Sequence, residues 1–95
     1  DFNQLCDQNL GSEDYLEIAN NSIFIVIESI PNFNDINSNQ QSRFITLIDI
    51  IYEKKVPLMI TSQVDLNLIL SAKSLIEPFK RTVSRLFELT SLNYN

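Results

Sequence analysis

"SIFIVIESIPNFNDINSNQQSRFITLIDIIYEKKVPLMITS", residues Ser22 to Ser62, changes its hydrophobic period twice, and those changes decide the fold. Ser22 to Ile30 is a continuous apolar, β-branched run. Strands covered on both faces look like this, as in parallel sheets. Pro31 stops the run, and "NFNDINSNQQ" (32–41) reads as a polar loop. From Gln41 to Lys55 the period becomes helical. Phe44, Leu47, Ile48 and Ile51 fall at i, i+3, i+4 and i+7, the stripe of an amphipathic helix. Lys54 and Lys55 lie in its last turn, where the dipole favours positive charge. "VPLMITS", Val56 to Ser62, is a second short apolar strand. The order strand–helix–strand predicts a βαβ unit with parallel strands and a right-handed crossover.

The flanks read as helices. "DFNQLCDQNLGSEDYLEIANN" predicts a short helical turn, a break at Gly11 and a helix capped by Ser12, with Glu13 and Asp14 in its first turn. Tyr15, Leu16, Ile18 and Ala19 supply its apolar positions, and Asn20 and Asn21 end it. After the second strand, "DLNLILSAKSLIE" predicts a short helix capped by Asp65 and then an irregular link. Pro78 suits the first turn of a last helix. Phe79, Val83, Leu86 and Phe87 give that helix its expected buried stripe. The fold class is α/β: a βαβ unit with flanking helices. A two-stranded sheet cannot cover its own faces and edges. The unit therefore reads as part of a larger sheet, with an exposed apolar face or edge expected where the remainder docks.

Composition excludes several chemistries. The chain has 95 residues, 44% of them hydrophobic, so it folds as a single small domain or as part of a larger one. Its single glycine rules out a Gly-rich phosphate loop within these residues. One cysteine and no histidine leave no disulfide framework, no His-based triad and too few soft ligands for zinc. A net charge of −5 argues against nucleic acid as a partner. No apolar run approaches the roughly 20 residues that span a bilayer. The sequence opens at Asp1, so targeting is not judged from it.

Within this acidic chain, "KRTVSRLFEL" (80–89) places Arg81 and Arg85 one helical turn apart, where like charges repel. Two readings stay open. The arginines read either as partners for Glu77 and Glu88 along the same helix or as a clamp for an anion, since guanidinium forks bind phosphate bidentately. Ser84 lies between them as a further donor. Arg43 enters the middle helix near the carboxyl ends of the strands, where open α/β sheets bind ligands; the alternative is a solvated helix residue. Thr61, Ser62 and Gln63 close the second strand and either face a ligand or cap a turn. Asp49 and Glu53, at i,i+4, read as paired carboxylates or as a solvated face near Lys54. Cys6 reads as a buried small hydrophobe, and Tyr15 and Tyr94 as packing residues.

Taken in order, "LCDQNLGSEDYLEIA", "IFIVIESIP", "RFITLIDIIYEKKVPLMITS" and "FKRTVSRLFELTSLNY" resemble the C-terminal portion of the ZapE or AFG-like (lactation-elevated-type) ATPases of the AAA+ class. "RFITLID" and "RTVSRL" are the most specific segments. The resemblance implies that residues 1–95 are the C-terminal part of a P-loop-type ATPase core whose nucleotide loop and acidic magnesium motif lie elsewhere. It implies ATP and Mg2+ as cofactors of the full-length protein, none for this segment alone, and no hydrolysis by the segment itself. It makes Arg43, Arg81 and Arg85 candidates for facing nucleotide phosphate. The partners implied are the rest of the ATPase core and a protein substrate, FtsZ in bacteria. The implied setting is the cytoplasm and cell division in bacteria, or mitochondrial protein quality control in eukaryotes. Peripheral membrane association and an oligomer also fall within what the family allows. Three stretches depart from the family pattern: Gln41-Ser42 stand where it has Ala-Arg, Ser62-Gln63 replace an acidic motif, and "ELTS" (88–91) replaces "EMQS". The alternative is a stand-alone interaction module that kept the sheet without catalysis.

Overall fold

The computed structural model describes residues 2–6, 10–62, 64–65 and 68–91. Along the chain lie α1 (Phe2–Cys6), α2 (Ser12–Asn20), β1 (Ile25–Ile30), α3 (Ser38–Lys54), β2 (Leu58–Ser62), a 3-10 turn (Lys73–Leu75) and α4 (Ile76–Ser91). The expected βαβ unit is present. β1 and β2 pair in parallel, with Ile25 opposite Leu58, Val26 opposite Met59 and Ile27 opposite Ile60. The register then slips before Ile30 meets Ser62. Ser29, with φ +64°, absorbs the extra residue. Its N–H, turned out of the ladder, donates to Thr61 Oγ1 at 2.9 Å.

Local chemistry explains where the helices begin and end. Gly11, not Ser12, is the N-cap of α2, and its N–H donates to the Asp14 carboxylate at 2.9 Å. Helix α3 starts three residues before the expected Gln41. Asn34 and Asn37 build its entry: Asn34 Oδ1 accepts from the N–H groups of Ile36 and Asn37, and Asn37 Oδ1 accepts from that of Asn34. Such side-chain–backbone bonds hold a tight turn and release the helix from its end. At the other end Lys55 adopts a left-handed conformation, φ +55°, and its N–H donates to the Tyr52 carbonyl at 3.2 Å.

Two long runs of the sequence behave differently from expectation. The segment that opens with Asp65 forms a single turn among the described residues, with Leu68 N–H donating to Asp65 O at 2.8 Å. Leu66 and Asn67 lie outside them. The strand run is covered on one face, not two. Ile25, Ile27 and Ile30 are buried, whereas Val26, Glu28 and Ser29 are exposed. The covered face joins Leu47, Ile48 and Ile51 of α3, Leu58 of β2, and Phe79, Leu86 and Leu89 of α4 in one core. Phe87, expected in the α4 stripe, faces solvent, and Leu89 takes its place.

The core is sealed by phenylalanines from distant points in the chain. Phe33 packs against Phe2, Phe44 and Phe79 with ring centroids 5.5, 5.9 and 5.5 Å away. It comes from the segment expected to be a polar loop. Beside it Gln41 is fully buried, with both its amide nitrogen and its amide oxygen hydrogen-bonded. Its Nε2 donates to Ser71 Oγ at 2.7 Å, and its Oε1 accepts the Ala72 N–H at 3.0 Å. This side chain ties the entry of α3 to the approach to α4.

Candidate functional site at the seam of the two long helices

Helices α3 and α4 pack side by side and run in the same direction. The start of α3 is tied to Ser71 and Ala72 just before α4, and Asp49 and Tyr52 meet Arg85 and Glu88 further along. Asp49 sits between the two arginines. Arg85 Nη1 donates to Asp49 Oδ1 in a close ion pair, and Arg81 Nη2 lies 3.6 Å from Asp49 Oδ2. The Arg85 guanidinium also stacks on the Tyr52 ring, 4.6 Å from its centroid, with Lys55 Nζ 4.2 Å from the same ring. The Tyr52 hydroxyl donates to Glu88 Oε2 at 2.8 Å. That bond, with the charge of Glu88, holds the Tyr52 phenol above its ordinary pKa.

The arginines are therefore ion-paired, as one of the two readings expected, but across the seam to Asp49. Glu77, the expected partner of Arg81, pairs with Lys80 at 3.1 Å. Asp49 was readable only as part of a carboxylate pair or a solvated face. Its signal was indirect: it closes "RFITLID", and its distance to Arg81 exists only once the helices pack. Glu53, its supposed companion, is exposed.

The structure brings Arg81 and Arg85 together and leaves Arg43 apart. Arg43 and Asp49 are separated by roughly 120° around the α3 axis at 3.6 residues per turn. Arg43 Nη1 donates to the carbonyl of Cys6, the last residue of α1, at 3.0 Å. There it is half-buried and lines a small cleft of about 120 Å3 with Gly11, Ser12, Tyr15, Ser42 and Thr46. Near it Cys6 is buried, and burial pushes its thiol up to about 12 despite a hydrogen bond with Tyr15. The Tyr15 hydroxyl donates to Leu5 O at 2.6 Å, and burial, then Cys6, raises it to about 12 as well. These are packing groups, as the sequence suggested.

At the end of β2, Thr61 Oγ1 accepts from Ser29, and Ser62 Oγ donates to the Val64 carbonyl. The Thr61 hydroxyl thus ties β2 to the irregular end of β1, and the Ser62 hydroxyl serves a local turn. Gln63 and Tyr94 lie outside the described residues. Among the described residues no group of three or more acidic, His or Cys side chains is placed to hold a metal ion, and no helix is long and apolar enough to cross a membrane.

Over residues 1–95 the chain matches the family described as AFG1-like ATPase. The chain belongs to that family. The AFG1-like relatives include lactation elevated protein 1 homolog B of Danio rerio, 38% identical over 73% of this chain and 14% of the relative. They also include cell division protein ZapE of Escherichia coli K12, 29% identical over 98% of this chain and 25% of the relative. The chain thus spans a quarter or less of the relatives it matches. No solved structure matches it. AFG1-like membership and the parallel α/β architecture agree: this chain is a segment of an ATPase-family sequence with a partial α/β core.

Proposed function

We propose that this chain is the C-terminal part of an ATP-hydrolysing enzyme, and that Arg81 is the side chain it presents to the nucleotide's phosphates. The observation that carries the reading is the unequal engagement of the arginines. Arg85 is clamped between Asp49 and the Tyr52 ring, with 27% of its side chain exposed. Arg43 is committed to the Cys6 carbonyl. Arg81 is 55% exposed and reaches Asp49 only at 3.6 Å. More than half of its side chain is open to solvent, beside a carboxylate at 3.6 Å. A planar fork of that kind suits the charge that spreads over phosphoryl oxygens in the transition state.

The chain's own residues fit this part of the chemistry and no more. With one glycine it has no loop to wrap phosphates. Among the described residues no group of three or more acidic, His or Cys side chains is placed to hold Mg2+. The phosphate loop belongs to the remainder of the enzyme. We further propose, from the family resemblance, that the enzyme acts on a protein partner, FtsZ in the bacterial cytoplasm; the name of the ZapE relative speaks of cell division alone. A mitochondrial quality-control role is the counterpart in a eukaryotic source.

The test is ATP turnover by the longer enzyme carrying Arg81→Ala. Turnover is expected to fall by about a hundredfold or more. Thermal stability should barely change, because an exposed ion pair contributes about 0–1 kcal/mol. Wild-type turnover would reduce Arg81 to a counterion of Asp49.

A further inference from the structure

Arg81 and Arg85 share Asp49, but Arg43 has no ion pair among the described residues. Its Nη1 donates to the Cys6 carbonyl at 3.0 Å, which leaves four of the five N–H donors of a guanidinium. The side chain is half-buried. A charge drawn partly out of water is costly unless it is paired. In a chain of net charge −5 a carboxylate for it would be easy to supply, yet none lines the cleft beside it. Hydroxyls do. Ser12 comes from α2, and Ser42 and Thr46 stand one turn apart on α3. The Ser12 and Ser42 hydroxyls are exposed and have no hydrogen-bond partner among the described residues. Thr46 Oγ1 donates to the Ser42 carbonyl at 3.2 Å. The end of α2 is already closed, because Asp14 holds the Gly11 N–H at 2.9 Å. The free donors of the cleft are therefore side chains.

We propose that this cleft is a phosphate site. Arg43 supplies the charge and the planar fork, and Ser12, Ser42 and Thr46 supply hydroxyls around it. A carboxylate is satisfied by the fork alone, whereas a terminal phosphate has three strong acceptor oxygens and uses further donors. The volume, about 120 Å3, suits a group of a few heavy atoms, since a water takes roughly 30 Å3 in the liquid. Glu13 and Asp14 make the surroundings acidic, so direct bonds rather than long-range attraction hold the anion. The site is distinct from the seam of α3 and α4. Arg43 lies about 9 Å along α3 from Asp49 and roughly 120° around it. The inference stands whether or not Arg81 reaches a nucleotide.

The test is calorimetric titration of the full-length protein with inorganic phosphate at constant ionic strength. The Arg81→Ala background with saturating ADP removes any contribution from the proposed nucleotide site. Phosphate is expected to bind once per chain, and Arg43→Gln to weaken it at least about tenfold. Ser12→Ala and Ser42→Ala should each weaken it several-fold without a change in thermal stability. These two variants carry the test if Arg43→Gln disturbs the contact with α1. O-phosphoserine titrated in parallel separates the sources: tighter binding than inorganic phosphate assigns the site to a phosphate ester, weaker binding to free phosphate. Acetate competing as well as phosphate overturns the proposal, leaving a carboxylate counterion site. No uptake at millimolar phosphate, or uptake that Arg43→Gln and both serine variants leave unchanged, overturns it too. Normal ATP turnover by Arg81→Ala alone removes the nucleotide reading of the seam and leaves this site standing.

Discussion

Gln41 is a polar side chain with no exposed surface, and both ends of its amide are used. Gln41→Ala would strand the Ala72 N–H in the interior and open a cavity. The expected loss is about 1–3 kcal/mol in urea unfolding, the usual cost of an unsatisfied buried group. The loop reading covered this glutamine and Gln40 beside it; only its place three residues before Phe44 sets it on the buried face of α3. The pair Cys6 and Tyr15 behaves as its composition suggests, with a consequence at high pH. Tyr15 has a folded pKa of about 12, above its ordinary value of 10.0. A raised folded pKa means that its contribution to stability is intact below pH 10 and is lost as pH climbs toward 12. Absorbance titration of the phenols should therefore show Tyr15 ionising late, together with alkaline unfolding. A midpoint near the ordinary value would mean that Tyr15 is not buried.

At the scale of elements, the seam between α3 and α4 turns on Asp49. It carries two guanidinium partners, one of them stacked on Tyr52. Asp49→Ala leaves Arg85, largely shielded from solvent, without its carboxylate. The expected destabilisation is about 1–2 kcal/mol, between the value of an exposed ion pair and that of a charged hydrogen bond in a shielded place. High salt should weaken the wild-type protein in the same direction but by less. The periodicity of α3 was legible: Phe44, Leu47, Ile48 and Ile51 are all fully buried. The stripe of α4 was half legible. Phe79 and Leu86 are inside, but Phe87 is out and Leu89 is in. Phe87 sits one residue past Leu86, a step of roughly 100° around the helix. Hydrophobicity alone could not tell which of the neighbours the core would take.

For the whole molecule, the uncovered sheet face and the loosely held Arg81 point the same way. Each is surface left open in this segment, which spans a quarter or less of the relatives it matches. The turnover experiment above tests the arginine alone. The same bare face makes a clear expectation for the chain taken alone. Apolar strand surface that is left open favours association, and polar substitution at Met59 should reduce it.

The βαβ order, the parallel pairing, the α3 core stripe and the family are all legible along the chain, because periodicity, Pro31 and the matched segments are local or linear properties. Tertiary structure alone decided that Phe33 belongs to the core, that Gln41 is an internal staple, that Asp49 joins Arg81 to Arg85, and that Arg43 stands apart from both. The physical reason is common to all four. Each depends on which side chains of distant segments share a volume, and the free energy that selects those neighbours exists only after the helices have packed.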